Sequence, residues 1–400
     1  MKLKGITANV VTLGFVSFLT DVSSDMVYPL LPLFLTQTLG ATTAFVGLVE
    51  GFAESTAAFF MLLSGAWADR VRDRTRLVLG GYSLSSVSKP LLALAASPWA
   101  VFFVRFADRV GKGVRGAPRD ALIADSVDPS VRGKAYGLHR SMDHAGAVTG
   151  PVLAAVLLGW FVKDLRTLFW IAAIPGFLAV ALIAWKVREV APDRRNVSGK
   201  EPFRFRLPKG RLRAYFAILF VFILSCSSDA FLLLRAGELG VPAPLLPVIW
   251  MLFNAVKAFL TLPFGALSDR LGRRRVILTG WIVYALVYLG FAYAHAAWHA
   301  WALFAGYGLF YAFTEGGERA LLADCAHPAE RGQAFGWYYF IVGLGSLPAS
   351  LLFGWLWQAG GSELAFCVSA SISSVAAGAM FVFLLVAPSA ASVDLPKAKG

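Results

Sequence analysis

Apolar runs long enough to cross a bilayer, roughly 20 residues each, recur from one end of this chain to the other. In hydrocarbon every backbone polar group must be satisfied within the protein, so only helices and closed barrels can span it. The runs here lack period-two alternation and are too long for barrel strands. The sequence therefore predicts an all-α integral membrane fold of about 12 helices. The expected spans cover 8–35, 42–66, 77–95, 99–124, 133–161, 167–187, 212–235, 243–266, 275–295, 298–323, 331–358 and 362–387. Composition agrees, with 58% hydrophobic and 15% charged residues, where soluble domains average about 25% charged.

A net charge of +13 is also what a nucleic-acid binder carries, but its placement argues for topology instead. Lys2, Lys4, Arg70, Arg72, Arg74, Arg76, Arg132, Lys134, Arg270, Arg273, Arg274, Arg275 and Arg331 fall in one alternating set of loops. The basic run from Lys186 to Arg213 belongs to the same set, as do Lys397 and Lys399; the opposite set holds little beyond Lys163 and Arg166. The positive-inside rule then places both termini in the cytoplasm. With very short outer loops, a bacterial inner membrane is the expected location, and no nucleic-acid partner is expected. The basic start followed by an apolar stretch reads as an uncleaved first helix, because no small-residue cleavage site follows. Cys226, Cys325 and Cys367 lie in apolar stretches without metal or redox spacing and read as small hydrophobes.

An internal repeat of about 200 residues organises the chain. Gly65, Asp69 and Arg70 recur as Gly265, Asp269 and Arg270. Asp125, Pro129, Arg132, Gly133 and Gly137 recur as Asp324, Pro328, Arg331, Gly332 and Gly336. Ser23, Ser24 and Asp25 have counterparts in Ser227, Ser228 and Asp229. The charged, proline-containing stretch between the copies reads as a linker, giving a bundle of six spans over 1–187, a linker over 188–210 and a second bundle over 211–400.

These motifs resemble the major facilitator superfamily, whose Gly-x-x-x-Asp-Arg-x-Gly-Arg loop follows the second span of each half. Residues Gly265 to Arg274 match that pattern fully, whereas the first copy has Arg72 where the second glycine stands. The resemblance implies two six-span halves around a path near mid-bilayer. It also implies a cytoplasmic gate at Gly65, Asp69, Arg70, Arg119, Asp125 and Arg132, mirrored by Gly265, Asp269, Arg270, Arg273, Asp324 and Arg331. The aspartates can accept from helix N-terminal amides and the arginines can pair with acids at adjacent helix ends.

Ionisable groups inside a span cost about 2.5–3.5 kcal/mol on insertion scales, so they face a partner or a wet cavity. Asp21 and Asp25 lie one turn apart on span 1. Span 4 carries Arg105, Asp108, Arg109, Lys112, Arg115 and Arg119; span 5 carries His139, Arg140, Asp143 and His144. Asp229 and Arg235 lie on span 7, and Glu315, Glu318 and Arg319 on span 10. The resemblance implies that spans 1, 4, 7 and 10 line the cavity, and it places Arg105 where the family has its span-4 arginine. Asp25, and after it Asp21, is the expected proton-coupling carboxylate; the other reading is a permanent ion pair with span 4. Glu50, Glu54, Lys89 and Lys257 carry less weight, Lys257 either snorkelling or pairing with Asp229. His139 and Asp143 have a spacing compatible with a shared metal, but a hydrogen-bond or proton-relay role is preferred. Tyr28, Trp250, Tyr307, Tyr311, Trp337 and Tyr338 read as packing before cavity lining.

The expectation is a monomeric, proton-coupled secondary transporter of a small organic anion or zwitterion, drawn by the cationic face of span 4, with export favoured. No nucleotide-binding loop is present, so ATP hydrolysis in this chain, other enzymatic activity and a cofactor are not expected. A metal-cation exporter, or a receptor or lipid scramblase on the same scaffold, is the alternative.

Overall fold

The computed structural model describes the backbone of residues 5–68, 73–128, 131–190, 210–325 and 331–386. Within these, the side chains of 62, 65–68, 132–134, 137, 210–211, 261–262, 265–271, 273–274, 315–317, 319–320, 322–325, 331–336 and 384–386 lie outside the described residues. Among the described residues every regular element is helical. The first group of helices is α1 (Ala8–Val27), α2 (Thr43–Ala68), α3 (Arg74–Leu94), α4 (Pro98–Asp125), α5 (Arg132–Val156) and α6 (Leu165–Lys186). The second group is α7 (Gly210–Ser225), α8 (Asp229–Glu238), α9 (Leu246–Leu271), α10 (Arg273–Ala292), α11 (Ala297–Cys325) and α12 (Arg331–Val386). The last bends at Gly361, whose φ of 80° glycine tolerates, so α12 covers the two final predicted spans.

Among the described residues, 9 stretches are long and apolar enough to cross a membrane, and the protein is a multi-pass membrane protein. Helix α4 is not one of them, because Arg105, Asp108, Arg109, Lys112 and Arg115 interrupt its apolar run. Large apolar side chains lie exposed on the outside of the bundle, including Trp160, Trp185, Phe259 and Trp298. In water such a surface would be a liability; against lipid it is the expected one.

Helix ends follow from local chemistry. Ser97 caps α4 by accepting from the Ala100 amide at 3.2 Å, with Pro98 in the first turn. Asp164 caps α6, accepting from the Thr167 amide at 2.9 Å and its hydroxyl at 2.7 Å. Those two bonds hold the Asp164 carboxyl below its ordinary range. Past Val27, Pro29 and Pro32 interrupt the α-helical ladder of the first span. The chain then continues through 3-10 and π turns to Thr38, a little beyond the predicted limit.

The single span predicted over 212–235 is broken. Helix α7 stops at Ser225 and α8 begins at Asp229. The carbonyl freed at Ser225 accepts from the Tyr284 hydroxyl at 2.8 Å and from Ser369. Ser228 caps α8 through the Ala230 amide at 3.3 Å. Irregular backbone at this depth is tolerated because protein groups satisfy it.

Packing repeats between the two groups. Helix α4 packs on α2 and α3, as α11 packs on α9 and α10; α3 packs on α6 as α10 packs on α12; α1 packs on α5 and α6 as α7 packs on α12. The groups meet along two seams, α2 against α12 and α5 against α9. In the first seam Gly47 lies against the Ser350 carbonyl, and a Cβ on Gly354 would sit 2.7 Å from the Thr43 carbonyl oxygen. Lower down, the Ser55 hydroxyl donates to the Gly343 carbonyl at 2.6 Å. Small residues let the two backbones touch, the usual basis of helix contact in lipid.

Candidate functional site

Glycines bring the charged helices together. A Cβ on Gly81 of α3 would stand 2.6 Å from the Gly111 carbonyl oxygen, and one on Gly113 would stand 2.6 Å from Phe60 Cβ of α2. Helix α4 is thereby clamped between its neighbours with its ionisable residues turned inward. On the facing side, Gly146 of α5 lies against the Phe18 carbonyl and Asp21 Cβ, and Gly150 against the Val22 carbonyl and Asp25 Cβ. The same two glycines that permit the α1–α5 contact thus fix the backbone beneath both span-1 carboxylates.

Between these helices lies a charged cavity of about 260 Å³, lined by Asp21, Asp25, Glu54, Arg105, Arg109, Lys112 and Arg115 among others. The Arg105 guanidinium donates from one nitrogen to both Glu50 oxygens at 2.9 and 3.0 Å. Lys89 lies 3.4 Å from Asp108, and Arg109 lies 3.2 Å from Glu54. Arg105 and Arg109 of the expected cationic face are thus already paired with Glu50 and Glu54 of α2. Among the described residues Lys112 and Arg115 have no carboxylate at ion-pair distance. Arg115 stacks over the Tyr82 ring at 4.1 Å, and its Nη1 is buried without a hydrogen-bond partner.

Asp21 and Asp25 are likewise outside any ion pair among the described residues. Asp25 accepts instead from the Trp250 indole at 3.2 Å, a bond from α1 to α9 that joins the two helix groups. Of the two readings offered for Asp25, a fixed ion pair with α4 is the one the geometry lacks. Trp250 also packs on Tyr28, ring centroids 5.1 Å apart.

A second cavity of about 410 Å³ adjoins the first, sharing Tyr28, Glu54 and Asp229 as wall residues. Its walls combine aromatic rings with polar groups that include Asp229, Lys257 and Glu318. Phe222, Tyr307, Phe310, Tyr311 and Tyr338 line it, so the packing role given to Tyr307, Tyr311 and Tyr338, and to Tyr28 and Trp250 in the first cavity, is incomplete. Trp337, by contrast, is a buried core residue. Asp229 accepts from the Tyr307 hydroxyl at 2.6 Å. Glu318 accepts from Trp281 at 3.1 Å and Tyr338 at 2.8 Å. The Lys257 ammonium stands 5.4 Å from the ring centroids of both Phe253 and Tyr311, a cation–π arrangement.

The structure thus brings together Asp21, Asp25, Glu54, Arg105, Arg109 and Lys112, and places Asp229 and Lys257 on the adjoining cavity. His139 and Asp143 sit apart on α5, with Nδ1 3.5 Å from the carboxylate, which also accepts from Ser17. Among the described residues no group of three His, Cys, Asp or Glu side chains is arranged to hold a metal ion. Arg119 pairs with its neighbour Asp120 at 2.9 Å, and Asp125 with Arg74 at 2.5 Å, both within the first helix group. Asp69 and Arg70 lie outside the described residues, and of Glu315 and the gate residues Gly65, Arg132, Gly265, Asp269, Arg270, Arg273, Asp324 and Arg331 the backbone alone is described. Gly272 of the second motif copy adopts a φ of 92°, which explains the glycine there. Sequence reasoning underweighted Glu50 and Arg115; the signal available was only that both are ionisable within a span.

A family model described as Major Facilitator Superfamily matches residues 13–246 and 214–400. An MFS-type transporter of Methanocaldococcus jannaschii is 36% identical over 385 residues, covering 95% of each chain. The multidrug resistance protein MdtH of Proteus mirabilis is 26% identical over 345 residues, 84% of this chain and 83% of its own. Among solved structures, the nucleoside transporter NupG superposes with a TM-score of 0.79 at 14% identity, over 94% of this chain and 99% of its own.

Proposed function

The chain belongs to the major facilitator superfamily, and from that premise we propose that it is a proton-coupled secondary transporter exporting a small organic anion or zwitterion. The observation that carries this reading is the set of ionisable groups left open in the charged cavity. Lys112 and Arg115 offer positive charge, Asp21 and Asp25 offer carboxylates, and neither set is paired among the described residues. At an effective dielectric of about 20, a carboxylate about 4 Å from one such cation gains about 4 kcal/mol before desolvation. That is enough to select an acid over its neutral analogue.

Asp25 is the coupling carboxylate in this scheme. Its bond to Trp250 ties its protonation to the contact between the two helix groups, 1–187 and 211–400, which move as the rocking halves of alternating access. A proton on Asp25 removes the charge that strengthens the bond. The loop motifs act as the gate on the cytoplasmic side of the inner membrane, where both termini and the 188–210 linker lie. A monomer suffices for this cycle. The name of the Proteus relative supports the outward direction.

The test is transport by the purified protein in proteoliposomes under an imposed pH gradient, with a panel of organic acids and zwitterions. Accumulation of a panel member that follows the gradient, and that Asp25→Asn abolishes while gradient-free exchange persists, is the expected result. Transport indifferent to both the gradient and the substitution overturns the scheme.

A further inference from the structure

We infer that the aromatic cavity is a ring-binding subsite, so that the cargo class is an organic acid or zwitterion carrying a planar apolar body. This rests on the reading of the charged cavity as the head-group site. The two cavities share Tyr28, Glu54 and Asp229, so one ligand can occupy both. They differ in what they leave unsatisfied. In the charged cavity, cations and carboxylates stand open. In the aromatic cavity the carboxylates of Asp229 and Glu318 and the Ser227 hydroxyl are already engaged by the protein. Asp229 holds Tyr307, Glu318 holds Trp281 and Tyr338, and Ser227 shares a hydrogen bond with Tyr288 at 2.8 Å.

Beside the Lys257 ammonium, which lies over the Phe253 and Tyr311 rings, the cavity offers apolar surface and ring faces. Phe222, Phe310 and Tyr311 present rings, and Leu219, Ile223 and Val342 present aliphatic surface. A volume of about 410 Å³ is more than a packing defect and accepts a fused ring. Ligand pockets generally combine such an apolar body with a few convergent polar groups, and here the two features occupy neighbouring chambers contributed by different helix groups. Binding the body of the ligand on α7 and α11, and its head on α1 and α4, makes one molecule bridge both halves.

The inference is tested by titration calorimetry on the purified full-length protein. The probes are α-amino acids bearing a naphthyl ring through one, three or five methylenes, their ring-free alkyl mates, and the naphthyl alcohols lacking the amino-acid head. At least one ring-bearing amino acid is expected to bind about 10–100-fold tighter than its ring-free mate. Tyr311→Ala reduces that gain, and Val342→Trp, which fills the cavity, removes it while leaving the ring-free mate unchanged. Equal binding of every ring-bearing and ring-free pair, or a gain that survives both variants, overturns the subsite. Alcohols that bind as tightly as the amino acids overturn the charged-cavity reading and leave the ring subsite standing. If no probe binds, both readings fall.

Discussion

Ser23-Ser24-Asp25 and Ser227-Ser228-Asp229 occupy equivalent places in the repeat, yet the two triplets fold differently. In the first, α1 runs on unbroken and the Ser23 hydroxyl donates to the Ala172 carbonyl at 2.6 Å. In the second, the helix breaks, and Ser228 becomes the cap of a new one. The difference follows from the neighbours. Tyr284 and Ser369 take up the Ser225 carbonyl in the second half, which stabilises an interruption that lipid alone would punish. It extends to the chambers that each triplet borders: in the first, Glu54 and Asp108 pair with arginine and lysine while Asp21 and Asp25 stand outside ion pairs among the described residues, and in the second, Asp229 and Glu318 accept from tyrosine and tryptophan. Duplicated sequence has kept the helix plan while the chemistry of the two halves has diverged.

That contrast can be broken most sharply at the paired aspartates. Asp25→Asn is expected to eliminate gradient-driven transport, whereas Asp229→Asn, which keeps a partner for the Tyr307 hydroxyl, retains part of it; vesicle uptake under a pH gradient reads both. Equal loss would mean that the halves share the coupling task. Next in size is Glu50→Gln, which removes the nearer of the two acids beside the buried Arg105 guanidinium and leaves it Asp108 at 3.5 Å; it is expected to cost about 3 kcal/mol of stability. Unfolding of the purified protein measures it, and Arg105→Met added to Glu50→Gln recovers most of the loss. Lys112→Ala is expected to weaken binding of an acidic probe about 10-fold, the scale of one lost hydrogen bond to a charged group. Lys257→Ala, whose ammonium lies over rings, changes it less. The smallest effect belongs to Tyr338→Phe, which removes one neutral donor to Glu318 and leaves the Trp281 indole in place, at about 1 kcal/mol. A cost as large as that of Glu50→Gln would erase the distinction between the halves.

Much of this architecture was legible in the sequence, because bilayer thickness imposes a length and the repeat imposes an order. The ionisable residues of span 1 and span 4 announced a polar cavity for the same reason: lipid makes any other location costly. Pairing was not legible. Helical spacing shows that Glu50 and Glu54 share a face of α2, but which cation of α4 reaches each depends on the Gly113 contact that sets the two helices' separation. Aromatic lining was equally opaque, since Tyr311 in a cavity wall and Tyr288 in the core carry the same local signature. The break at 226–228 depends on Tyr284 and Ser369, remote in the chain.

The α2–α12 seam has an electrical consequence. The groups that form it at Thr43, Gly47, Ser55, Gly343, Ser350 and Gly354 are carbonyls, hydroxyls and hydrogens, with no formal charge. Carrying one elementary charge across 100 mV is worth about 2.3 kcal/mol, and parting this seam carries none. Among the described residues, membrane voltage therefore acts on the ionisable cavity and its contents and not on these seam groups. One proton exchanged for a neutral zwitterion moves one charge and one proton exchanged for a monovalent anion moves two, so at a known proton stoichiometry the charge moved per molecule exported reads the cargo's valence.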